Sequence, residues 1–180
     1  MKKRTLIILV ALVAVFGMAV GGTIAWLTDQ TGPITNTFTV GNINIELKET
    51  ATDFKMVPGV TIAKDPKITV KSGSEACYLF VKVEKSANLD DFINYIMATG
   101  WTALTDADGV YYRVVNATTS DTTFSVLAND QVTCKDTVTK VMMDALTEDT
   151  YPTLTFTAYA VQQSGSASAA EAWEKVPTTP

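Results

Sequence analysis

The sequence predicts an all-β sandwich of one domain, with a few short helices, behind an N-terminal export signal. Three observations predict it. Beyond residue 36 most of the chain alternates apolar and polar residues with period two, rich in β-branched and aromatic side chains. These runs are short and are separated by turn formers: Pro58-Gly59, Lys71-Ser72-Gly73-Ser74, Asp106-Ala107-Asp108-Gly109 and Ala128-Asn129-Asp130. Before them comes a basic start and a long uncharged run, with the first acid at Asp29.

The opening has the three-part layout of a secretory signal. Lys2, Lys3 and Arg4 form the cationic n-region, and residues 5–27 carry no charge. Thr23 and Ala25 are the small residues a signal peptidase accepts, so cleavage is expected after Ala25, leaving Trp26 as the new N-terminus. The uncharged run also reaches the roughly 20 residues that span a bilayer, so a retained anchor is the alternative. Gly17, Gly21 and Gly22, and the lack of a basic cluster behind the run, favour cleavage. No Cys lies near the site, and the C-terminus is neither apolar nor basic, so no lipid anchor or C-terminal membrane anchor is expected. The expected organisation is a signal over 1–25, a mature N-terminal segment over 26–36, the sandwich over 37–176 and a tail over 177–180.

Strands follow in order. Residues 37–40 lead through Gly41 into Ile43, Ile45 and Leu47, with Asn44 and Glu46 on the other face. Clean alternation recurs over 66–71, 77–84, 110–115, 122–127, 131–134 and 153–161. In the last run Leu154, Phe156, Ala158 and Ala160 share a face. Residues 101–104 pair with 110–115 through the Asp106–Gly109 turn. Helices are few. Leu89, Phe92, Ile93, Ile96 and Met97 fit one helical face, with Asn88 as N-cap, Gly100 beyond the end and Asp90 and Asp91 in the first turn. Shorter helices are expected over 140–146 and 169–175, the latter with Ser168 and Glu171 at capping-box spacing. Residues 162–168 read as loop.

Composition narrows the chemistry. Without the n-region, 11 basic residues face 19 acidic ones, which argues against nucleic acid and anionic lipid as partners. The chain has no histidine. Ser-His-Asp and Cys-His catalysis and the HExxH zinc motif are therefore excluded, and no catalytic, metal or cofactor site is expected. Cys77 and Cys134 both fall on inward-facing strand positions. In an exported chain they fit either one disulfide or two buried thiols.

Other motifs have plain readings. Asp106–Gly109 suggests a calcium loop only superficially, because Val110 and Ala117 stand where further oxygen ligands belong. A β-turn is expected instead. Asn116-Ala117-Thr118 fits the glycosylation sequon by chance. Tyr111-Tyr112, Tyr78, Phe80 and Tyr159 suggest cross-strand aromatic pairs, with one member of each adjacent pair facing out. Asp90, Asp91, Glu148 and Asp149 suit helix starts rather than a catalytic carboxylate pair.

Three stretches resemble one family. GGTIAWLTDQTGPITNTFTVGNINIEL, then VPGVTIAKDPKITVKSGSEACYLFVKVE, then TYPTLTFTAYAVQQ with SAAEAW, are similar to the TasA/camelysin family. These are exported proteins of Gram-positive, spore-forming bacteria and their relatives, processed by the signal peptidase SipW. The resemblance implies a jelly-roll-like sandwich that forms extracellular fibres of the biofilm matrix. It also implies that the freed N-terminal segment acts as a donor strand, completing the sheet of a neighbouring copy. Here that segment would carry Trp26, Leu27 and Ile34, interrupted by Gly32-Pro33, where Pro33 lacks an N–H for pairing. A disordered tail is the other reading of this segment.

The expectation is thus a secreted, non-enzymatic structural protein of the matrix or cell surface. Its partners would be copies of itself, the signal peptidase during export, and another matrix or anchoring protein. Membrane contact would come only through the uncleaved signal. The alternatives are a monomeric accessory or adhesion module and, from the camelysin name, a surface metallopeptidase, which the missing histidines disfavour.

Overall fold

Alternation of apolar and polar residues becomes ten antiparallel strands in a computed structural model, which describes residues 41–51 and 54–177. The signal residues Lys2, Lys3, Arg4, Thr23 and Ala25, the donor candidates Trp26, Leu27 and Ile34, and the strand expected over 37–40 lie outside the described residues. Among those described, the strands form three sheets.

The first sheet has the order β1 (Ile45–Lys48), β3 (Lys67–Val70), β8 (Thr122–Ser125). The second has the order β10 (Leu154–Gln162), β4 (Cys77–Lys85), β7 (Val110–Val115), β6 (Thr102–Ala103). The third joins β2 (Thr61–Ala63), β9 (Gln131–Cys134) and β5 (Ile93–Asn94). Register follows the hydrophobic pattern, since a one-residue slip would turn every inward residue outward. Thus Ile68 stands opposite Leu47 and Phe124, and Phe80 opposite Tyr112 and Tyr159.

The first two sheets share a core. Ile68, Val70 and Val126 meet Cys77, Leu79, Val81, Val83 and Val115 there. The alternating sets Ile43/Ile45/Leu47 and Leu154/Phe156/Ala158/Ala160 pack on the same cluster. Glu46, on the outer face, is held by Lys48 at 2.6 Å and Lys71 at 2.8 Å, and these lysines lower its carboxyl pKa to about 2. A second cluster, with Leu89, Phe92, Leu127, Val132 and Val138, sits against the third sheet.

Strand β4 is buried on both faces, which its continuous run Tyr78-Leu79-Phe80-Val81 fits. Tyr78 and Phe80 point away from the first core and lie beneath the C-terminal helix, of residues Ala169–Glu174. Trp173 of that helix sits 5.2 Å from the Phe80 ring and 5.5 Å from Tyr159. Tyr78 and Tyr112 pair edge-on across strands at 6.5 Å. The expected cross-strand aromatic pairs are present, but the outward members are covered: Tyr78 and Phe80 are buried and Tyr112 is half-buried.

The helix expected from Leu89 to Met97 is corrected. Only α1 (Leu89–Phe92) is helical. At Ile93 the backbone turns extended and joins β9, and Met97 bridges to Leu127. Strand pairing with an available edge outweighs a helical spacing of β-branched isoleucines. Asn88 makes no side-chain cap bond; its Nδ2 donates to the Thr150 carbonyl instead.

The other two helices are α2 (Lys140–Asp144) and α3 (Ala169–Glu174). Ser168 Oγ accepts from the Glu171 N–H, as the capping spacing requires. The Glu171 carboxylate accepts from the N–H of Ala167, one residue before the expected partner. Two further differences are strand β2, which the sequence reading leaves out, and β8, which ends at Ser125 rather than Leu127.

Candidate functional site

β10 reads Leu154-Thr155-Phe156-Thr157-Ala158-Tyr159-Ala160-Val161-Gln162. It is the terminal strand of its sheet and, among the described residues, pairs with β4 alone. Its nine residues include no charge, no proline and no glycine. Edges left open to water are normally blunted by a charge, a proline or a bulge, or are very short. The other terminal strands obey that rule: β1 carries Glu46 and Lys48, β8 and β2 have four and three residues, and β6 and β5 have two. β10 alone is long and bare of these devices.

β1 and β10 lie beside one another. At one end of the pair Gly41 abuts Gln162, where an added Cβ would come within 3.0 Å of Gln162 Nε2. At the opposite end a groove of about 1120 Å³ opens beside Leu154, Thr155 and Phe156. Leu47, Ile62, Pro66, Ile93, Val132 and Leu146 make its apolar lining. It therefore sits where the ends of the first two sheets meet the third.

One wall is polar inside. Lys64 is buried, with 8% of its surface exposed. Its Nζ lies 2.8 Å from Glu49 Oε1, 4.9 Å from the Phe54 ring centroid and 5.4 Å from that of Phe156. Ion pairing and two aromatic faces together offset removal of the ammonium from water. Next to it Asp65 accepts from the Thr50 N–H at 2.9 Å and the Thr50 hydroxyl at 2.7 Å. The Thr50 hydroxyl, then its N–H, hold the Asp65 carboxyl below the usual carboxylate range. These contacts tie the strand end after β1 to the strand end after β2, and so fix the groove's mouth.

The residues singled out in the sequence fall elsewhere. Cys77 and Cys134 are buried and free, in different core clusters, so the bridge left open by the sequence is not formed. Burial pushes the Cys77 thiol up to about 11 and raises Cys134 as well. Asp106–Gly109 is a turn between β6 and β7, with Gly109 at φ 70°. Asp90 and Asp91 open α1, and Glu148 and Asp149 open a 3-10 turn over Glu148–Thr150. Among the described residues no three His, Cys, Asp or Glu side chains gather as a metal site, and no helix is long and apolar enough to cross a membrane.

Sequence reasoning missed Lys64, Glu49, Asp65 and Thr50. A signal was there: Lys64 follows Ile62 at strand spacing, which places a lysine on an inward position. In comparison with known proteins the chain matches no family model, no curated protein and no solved structure.

Proposed function

We propose that this chain is an exported structural protein, a jelly-roll-like sandwich that builds extracellular matrix or cell-surface fibres. Cleavage after Ala25 frees a segment starting at Trp26. That segment pairs as a donor strand with the β10 edge of a neighbouring copy and seats its apolar side chains in the adjoining groove. Main-chain bonds along the edge supply affinity, and the groove supplies specificity. Before cleavage the segment is held at the membrane and cannot reach a neighbour.

The single observation that carries this reading is the unblunted nine-residue edge of β10. The resemblance of the sequence to the TasA/camelysin family supports it. So does the placement of Gly41 at the Gln162 end of β10, opposite the groove. Donor and acceptor then leave from opposite ends of the domain, a heterologous contact that propagates head to tail rather than closing. Removing the residues before Phe38 should leave a folded monomer that no longer polymerises. Filaments from that truncated chain would refute donor-strand assembly.

A further inference from the structure

The domain is acidic, yet the groove is the one place beside the β10 edge where lysines predominate. Lys48, Lys55 and Lys64 line it against Glu49 and Glu148. Lys64 already neutralises Glu49. Lys48 and Lys55 neighbour Glu49 and Phe54 in the chain, the two residues that Lys64 touches, so the positive charge collects at one end of the groove. Lys48 reaches Glu46, but its side chain is 73% exposed, and such surface pairs re-form at little cost.

Residues 26–36 contain a single charged side chain, Asp29. In an extended strand Asp29 shares a face with Leu27, roughly 7 Å farther along. A strand that seats Leu27 on the apolar lining therefore delivers the Asp29 carboxylate along the same groove.

We propose that Asp29 of one copy is read by Lys48 and Lys55 of the next, and that this contact sets the register and the selectivity of the incoming strand. The inference rests on the assembly reading above. Like-charged domains repel as they approach, and a local patch of opposite sign speeds encounter and rejects a misplaced strand. Asp29 also breaks an otherwise neutral segment, which on its apolar pattern alone could pair in several registers.

The test uses the mature chain from Trp26, with filament elongation followed at low salt by light scattering. Asp29→Lys alone, and Lys48→Glu with Lys55→Glu, should each slow elongation by about tenfold or more. The chain carrying all three substitutions should recover, because donor and acceptor are reversed together. Both lysine positions are exposed, and circular dichroism checks that each variant is folded. Native-rate growth of Asp29→Lys, or failure of the triple variant to recover, overturns the ion contact and leaves edge pairing standing. Absence of filaments from the native mature chain removes this inference together with the reading beneath it.

Discussion

Lys64 enters an apolar wall because three partners meet its ammonium there: the Glu49 carboxylate and the faces of Phe54 and Phe156. The Lys64 and Glu49 side chains are 10% and 15% exposed, so the pair is largely shielded from water and salt. Such a pair is costly to break and cheap to replace whole. Glu49→Gln should lower stability by about 3 kcal/mol, because it strands a buried cation. Glu49→Leu with Lys64→Met should recover most of that loss. Urea denaturation of the three proteins checks both statements; equal stability of Glu49→Gln and the native chain would show the pair to be solvated. This pair was hard to find in the sequence because lysine and glutamate are read as surface residues by default. Cys77 and Cys134 were legible as inward-facing, but their separation depends on which sheet each strand joins, which alternation does not encode.

At the scale of elements, strand alternation was the reliable signal. The inward sets on β1, β4 and β10 are those that period two assigns. Spacing misled over residues 89–97, where apolar residues at helical intervals belong to one turn of helix and then an extended segment on β9. A short apolar run carries both periods, and the available partner edge decided between them. Turn chemistry was legible too, and two glycines show what it demands. Gly73 (φ 78°) faces open space, whereas a Cβ on Gly109 (φ 70°) would stand 2.5 Å from the Val83 carbonyl oxygen. The Val83 N–H also donates to the Gly109 carbonyl at 2.8 Å. Gly73→Ala should therefore cost only the left-handed backbone penalty, about 1–2 kcal/mol. Gly109→Ala should cost clearly more, since backbone rather than a flexible side chain must move. Denaturation midpoints of the two variants measure the difference, and equal losses would contradict the close packing of the β6–β7 turn on β4.

For the whole molecule, sequence pattern identified an all-β chain, but not which strand would be left open. That property belongs to sheet order, set by long-range pairing of runs that look alike locally. Once the order is known, β10 is singled out by what its sequence lacks: charge, proline and glycine over nine residues. The groove beside it was likewise invisible beforehand, because its lining comes from β1, β2, β5, β9 and the approach to β10. The central claim is that this edge and groove serve assembly of the exported chain. Electron microscopy of the concentrated mature chain, residues 26–180, tests it most directly. The account predicts ordered filaments, one subunit thick and polar along their length; a protein that stays monomeric at high concentration, with no added partner, would contradict it.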